Sequence, residues 1–253
     1  MASRKRWNNI YDGENPFGLA QTVAKSLQSC TKRKEEEPSK RVRYLWVYLP
    51  DRDAYSTSNA DERPLSFDEL LDIIDEGAGV GARSLIVSTS SPIATHPYLL
   101  QVCDWAQKIH EMTVGIHLYK LPFTEEDLPV LAKLNKDKTR LFIDGEHMET
   151  APLAEGAGYR VYNADGLDDE VVSPKCEFPG TMTCVSPIGN LYTCGLVLGE
   201  QRFKLGHIFE RKLTSIMEDS SLPHAIPEGV SKATRRCNGC PPLMAQKMHN
   251  DEL

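Results

Sequence analysis

Five of the seven cysteines fall in one segment, 176–240: Cys176, Cys184, Cys194, Cys237 and Cys240. Cys237 and Cys240 form a CxxC pair, whose spacing lets both sulfurs reach one centre. Gly239 and Pro241 suit the tight turn this needs. Cys194 closes a short hairpin around 187–190, and Cys176 opens the segment. Four thiolates that converge on folding hold zinc or an iron–sulfur cluster. The competing reading is a pair of structural disulfides or unrelated core thiols, but CxxC with two hairpin-edge cysteines is a metal-site spacing. Cys184 lies mid-strand beside Val185 and reads as a packed core thiol, not a ligand. Cys103 shares a helical face with Leu99, Val102 and Ala106, which makes it a core thiol too.

The elements that must position these thiols are legible in the hydrophobic pattern. YLWVYL at 44–49 is a strand rich in aromatic and branched residues. Ser66 and Glu69 make a capping box. Phe67, Leu70, Leu71 and Ile74 then repeat at helical spacing, and glycines at 77–81 stop the helix. Strands are expected at 84–88, 113–118, 140–143 and 159–162, and a helix over 98–111. Thr124 is the expected cap of a further helix carrying Leu128, Leu131 and Leu134. Strand and helix alternating about every thirty residues predict βα units and a parallel sheet. Four or five units do not close an eight-stranded barrel, so the expected fold class is α/β: an open, partial (βα) barrel followed by a small hairpin and helix unit.

A chain of 253 residues with 40% hydrophobic and 26% charged residues is ordinary for a globular protein. No apolar run approaches the roughly 18 residues of a membrane helix, and the basic N-terminus has no apolar stretch of the secretory kind. An odd, late-clustered cysteine set fits a reducing compartment, so the expected localisation is cytoplasmic. The C-terminal His249-Asn250-Asp251-Glu252-Leu253 is similar to an ER-retention tail and is read as chance. The net charge of −7 is uneven: residues 1–43 hold ten Lys/Arg and five Asp/Glu, hence +5, which leaves −12 for the rest. An acidic body argues against nucleic acid as the main partner. Residues 1–43, with Cys30, read as a basic, partly flexible arm.

The cysteine segment resembles the auxiliary-cluster domain, SPASM or twitch, that follows the barrel in many radical SAM proteins. The resemblance rests on Cys176, on Gly189-Asn190-Leu191-Tyr192-Thr193-Cys194, on the phrase Leu205-Gly206-His207-Ile208-Phe209 before a short helix, and on Cys237 and Cys240. It implies one [4Fe–4S] cluster held by Cys176, Cys194, Cys237 and Cys240, with zinc as the alternative metal. The strand–helix half resembles the radical SAM core, but both chemistry motifs are missing. Where that family carries CxxxCxxC, this chain has Asp51, Tyr55 and Ser58. Where the family carries GGEP, it has Thr89-Ser90-Ser91-Pro92, followed by His96-Pro97. The implied organisation is an arm at 1–43, a radical SAM-like partial barrel at 44–170 and a SPASM/twitch-like domain at 171–253. No SAM-binding residues are expected.

The expected function is therefore that of an iron–sulfur protein without its own radical chemistry. Such a pseudoenzyme serves electron transfer, or acts as an accessory or scaffold subunit beside a redox protein or a true radical SAM enzyme. Two alternatives stand beside it: a structural zinc-binding interaction module, and an enzyme with a SAM-independent site in the barrel mouth. Asp51, Asp53 and His96 are the mouth candidates, because barrel sites lie at the C-terminal ends of strands. His117, alternating with Val114 and Ile116, reads as a satisfied sheet histidine. His147, between Glu146 and Glu149, is too loosely placed to argue for a metal.

Overall fold

The computed structural model describes residues 42–50, 63–165 and 180–226. Five strands run parallel in sequence order across one side of a single sheet: β1 (Tyr44–Tyr48), β2 (Ser84–Thr89), β3 (Thr113–Leu118), β4 (Thr139–Ile143) and β5 (Arg160–Asn163). On the other side of β1 lies β6 (Met182–Val185), also parallel, with Cys184 opposite Trp46. β7 (Asn190–Tyr192) and β8 (Lys204–His207) continue antiparallel, so the order is β5-β4-β3-β2-β1-β6-β7-β8. The sheet stays open, with β5 and β8 at its edges. The expected open α/β architecture is present, and the described part of the C-terminal third extends the same sheet.

Helix α1 (Phe67–Gly79) begins at the expected cap. Ser66 Oγ accepts from the Glu69 N–H, and Glu69 Oε2 accepts from the Ser66 N–H at 2.9 Å, which satisfies two donors that a helix start leaves unpaired. Leu70, Leu71, Ile73 and Ile74 are its buried stripe. Gly77 lets the helix approach β1: a Cβ there would sit 2.7 Å from Leu45 Cδ2. Helix α2 (Leu99–Ile109) buries Leu99, Val102, Cys103 and Ala106, as the periodicity predicts.

The helix expected after Thr124 is shorter than its pattern. Thr124 and Asp127 make the cap, but a 3-10 turn leads into a single helical turn, α3 (Leu128–Leu131). Pro129 lacks the N–H to extend a helix backwards. Asn135, whose side chain accepts from the Asp137 N–H at 3.0 Å, turns the chain away soon after. Leu131 and Leu134 are still buried, so the apolar spacing was conserved by packing and not by helix length. Two more short helices follow, α4 (Ala151–Gly156) and α5 (Leu213–Glu218).

Pleating divides the strands between two faces. Leu45, Val47, Leu85, Val87, Val114, Ile116, Leu118, Leu141 and Ile143 point toward the helices and form the main core. Trp46, Ile86, Met182, Cys184 and Tyr192 form a smaller cluster on the opposite face.

Candidate functional site

The face opposite the main core opens, at the C-terminal ends of the parallel strands, into a cleft of about 680 Å³. β1 supplies Trp46 and Tyr48, β2 Ser88 and Thr89, β3 His117, and β4 Phe142, with Ser90, Tyr119 and Asp144 just beyond their strands. Pro187 from the β6–β7 hairpin, with Gly195, Leu196 and Leu198 from the turn after Cys194, closes the other wall. Gly195 lies flat on the Trp46 indole, since a Cβ there would stand 2.4 Å from the ring. The segment that carries Cys194 is thereby fixed to the cleft.

A continuous hydrogen-bonded row runs across β1, β2 and β3 to the residue just past the end of β4. Trp46 Nε1 donates to Ser88 Oγ at 2.7 Å. Ser88 Oγ and His117 Nδ1 are 2.9 Å apart, and His117 Nε2 and Asp144 Oδ1 are 3.0 Å apart. The Lys120 N–H donates to Asp144 Oδ2 at 2.6 Å. An indole N–H only donates and a carboxylate only accepts, which orders the protons. With His117 neutral, Nε2–H donates to Asp144 and Nδ1 takes the Ser88 proton. Burial alone would raise the Asp144 carboxyl. The His117 hydrogen bond and the Lys120 N–H outweigh it and hold the carboxyl below its ordinary range, and His117 and His147 add to the effect when their rings are protonated. Burial also pushes the Tyr48 phenol well up, with Cys184, Tyr119 and Cys194 adding to it against the nearby Ser88 hydroxyl, so Tyr48 stays protonated.

His117 is a satisfied sheet histidine, as its alternation predicts, but it is also a wall of the cleft. Ser88 and Asp144 were missed as its partners. The signal available was register: Tyr48, Ser88, His117 and Phe142 occupy one row across four strands. Each residue sits near the end of a strand, but the sequence does not show which row of one strand meets which row of the next.

His96, expected at the barrel mouth, has a structural position instead. Its Nδ1 accepts from the Tyr98 and Leu99 N–H groups at 3.2 and 3.1 Å, which caps α2, and its Nε2 donates to Pro50 O at 3.2 Å. Both ring nitrogens are engaged in joining the β2–α2 loop to the end of β1, and His96 does not line the cleft. Asp51, Asp53, Tyr55 and Ser58 lie outside the described residues. Of the phrase in the GGEP place, Thr89 and Ser90 line the cleft, and Thr89 Oγ1 donates to Ser91 O at 2.8 Å. His147 stands 3.7 Å from Glu146 and 4.0 Å from Glu149, a loose arrangement like the one expected.

Of the four expected thiolate ligands, Cys176, Cys237 and Cys240 lie outside the described residues. Cys194 is half-buried at the exit of β7. Cys103 and Cys184 are fully buried, and burial pushes both thiols up, with Asp104 adding to it at Cys103 and Cys194 at Cys184. Among the described residues, no group of three or more His, Cys, Asp or Glu is arranged to hold a metal ion. A set of four thiolates is chemically suited to iron–sulfur or zinc binding, and the one described member is accessible.

No protein-family model matches the sequence, and no curated protein matches it. Among solved structures, the chain is similar to Streptococcus suis SuiB bound to S-adenosylmethionine, at 11% identity and a TM-score of 0.45, over 92% of this chain and 78% of that one. It is similar to SuiB bound to precursor peptide SuiA at 12% identity and a TM-score of 0.44, over 92% and 79%. BtrN in complex with AdoMet and 2-DOIA is matched at 14% identity and a TM-score of 0.46, over 79% and 88%. Likeness of this degree assigns neither substrate nor cofactor.

Proposed function

We propose that the chain is an iron–sulfur protein on a radical SAM-like scaffold that lacks the SAM-cleaving centre. Cys176, Cys194, Cys237 and Cys240 hold one [4Fe–4S] cluster in a SPASM/twitch-like C-terminal unit. The observation that supports this best is the contrast among the described cysteines. Metal ligation needs a thiolate, and burial disfavours one. Cys103 and Cys184 are fully buried, whereas Cys194 is half-exposed on a segment whose Gly195 packs directly on Trp46. A cluster bound there adds to folding directly, because the unfolded chain has no preformed site. Beyond stability, it serves electron transfer or an accessory role beside a protein partner.

Metal and sulfide analysis of anaerobically purified full-length protein tests the reading. The expected result is about four iron and about four sulfide per chain. Cys194→Ala lowers both and Cys184→Ala keeps them. Stoichiometric zinc without sulfide replaces the cluster with a structural zinc site. Iron retained in Cys194→Ala but lost in Cys184→Ala overturns the ligand assignment. Reduced protein incubated with SAM is expected to give no 5′-deoxyadenosine above a protein-free control, since Asp51, Tyr55 and Ser58 supply no thiolate for an open cluster.

A further inference from the structure

The cleft has a chemical character of its own, independent of any cluster. Its walls are aromatic. Trp46 and Tyr48 stack with ring centroids 5.8 Å apart and planes within 7°. Tyr119, 43% exposed, stands at the rim with its ring edge-on to His117, and Phe142 lines the floor. Its charged groups are carboxylates: Asp144 and Asp165 line it, and among the described lining residues there is no Lys or Arg. Asp144 is fixed by His117 and Lys120, and Asp165 Oδ2 is fixed by the Gly145 N–H at 2.8 Å. Each carboxylate oxygen accepts more than one hydrogen bond, so these contacts leave acceptor capacity toward the cleft.

Aromatic faces and carboxylates both attract cations and repel anions. The Tyr119 ring already shows this preference, with the Lys120 ammonium 5.1 Å from its centroid. A phosphate or carboxylate ligand would meet the two carboxylates inside the cleft, where no described lining residue is a Lys or Arg; the Lys120 ammonium lies outside that lining, against the rim ring of Tyr119. The cleft's 680 Å³ lies within the range of small-molecule sites.

We infer that this cleft is a binding site for an organic ammonium ion carried on a planar aromatic body, the ring lying among Tyr48, Tyr119 and Phe142 and the ammonium facing Asp144 and Asp165. The row of buried Trp46, Ser88 and His117 leading to Asp144 then acts as a positioning device. It holds the Asp144 carboxylate in one orientation before the ligand arrives, so little ordering is left for binding to cost.

Three probes of matched shape test the inference by calorimetric titration of the full-length protein: tryptamine, the neutral alcohol tryptophol, and the anion indole-3-propionate. The expected order is tryptamine tightest, tryptophol weaker and indole-3-propionate undetectable. Asp144→Asn should weaken tryptamine about tenfold, the scale of losing one charge-assisted hydrogen bond, and bring it level with tryptophol. Asp165→Asn, at an exposed residue, should act in the same direction and stands in for Asp144→Asn if that variant does not fold. Tyr119→Ala should weaken tryptamine and tryptophol alike. The inference is overturned if indole-3-propionate binds as tightly as tryptamine, or if no probe binds at millimolar concentration. Tryptamine affinity unchanged in every folded variant would overturn it as well.

Discussion

The two faces of one sheet are built from alternate residues of the same strands and have little else in common. Toward the helices β3 presents Val114, Ile116 and Leu118, all fully buried. Toward the cleft the same strand presents Gly115 and His117. Gly115 leaves room for the Phe142 ring, which a Cβ would meet at 2.5 Å, and His117 joins Ser88 to Asp144. The helix face is held by non-directional packing, which tolerates any apolar side chain of suitable volume. The cleft face has only a smaller apolar cluster and adds directional hydrogen bonds, each of which leaves a stranded partner if its other half is removed. One face stabilises the fold; the other keeps polar groups in fixed positions beside an open space.

The largest expected effect tests the packed side of that contrast. Ile116→Ala removes a fully buried side chain from the main core. It should cost about 2–5 kcal/mol in urea unfolding, the range for such truncations. Tyr119→Ala, one residue past the end of the same strand but 43% exposed, should change stability by no more than about 0.5 kcal/mol. Comparable losses in the two variants would mean that the cleft rim carries the fold as much as the core does.

Ser88→Ala comes next and addresses the directional side. It leaves Trp46 Nε1 without an acceptor and His117 Nδ1 without its donor, both buried. A penalty of about 1–3 kcal/mol is expected for stranding such groups. Nitrogen–proton correlation spectra of the His117 ring add a local readout. In the intact chain the proton should sit on Nε2, toward Asp144. A ring spectrum identical in Ser88→Ala would show that Ser88 does not direct the imidazole.

These differences explain what was readable beforehand. The packed face announces itself through period: Phe67, Leu70, Leu71 and Ile74 gave α1, its cap lay at Ser66, and 113–118 matched β3. Pattern alone overestimated α3, because Leu128, Leu131 and Leu134 keep helical spacing across a segment that Pro129 and Asn135 cut short. The cleft was much harder to see. His96 looked like a mouth residue by position and proved to be a helix cap. His117 looked merely satisfied and proved to share a cleft wall with Ser88 and Asp144, 29 residues before it and 27 after. Those three meet through strand register, which depends on long-range pairing that no local pattern encodes. The cysteine spacing was legible as chemistry, and Cys194 is the one of its four members that falls among the described residues.

The smallest effect compares one carboxylate from each side. Glu69 belongs to the helix side, at the start of α1. Arg63 holds it first of all, with Nη1 2.8 Å from Oε2; slight burial opposes this and Ser66 assists it, and the carboxyl titrates at about 2. Asp144 belongs to the cleft side and is also held below its ordinary 3.8, with the His117 and Lys120 contacts overcoming burial. Both shifts have the same sign. In the unfolded chain Glu69 takes up its proton near the ordinary 4.5, before the folded chain does. Its contribution to stability is therefore complete above about 4.5, shrinks as pH falls, and is gone once pH has passed about 2. Asp144 loses its share in the same direction, starting from 3.8. Glu69→Gln isolates the charge, because a glutamine keeps the capping box with Ser66. The Arg63 side chain is 50% exposed, so solvent screens the pair. The loss at pH 7 should be only about 0.2–1 kcal/mol and should fade in high salt. What distinguishes Glu69→Gln is the acid limb: its unfolding free energy should fall less steeply than the parent's between pH 4.5 and 2. Asp144→Asn should flatten the limb starting nearer pH 3.8, and with less sensitivity to salt, because its partner His117 is more buried than Arg63. A Glu69→Gln limb that superimposes on the parent's would show that the Arg63 pair is not formed in solution and would leave Asp144 as the one of these two carboxylates that adds acid sensitivity.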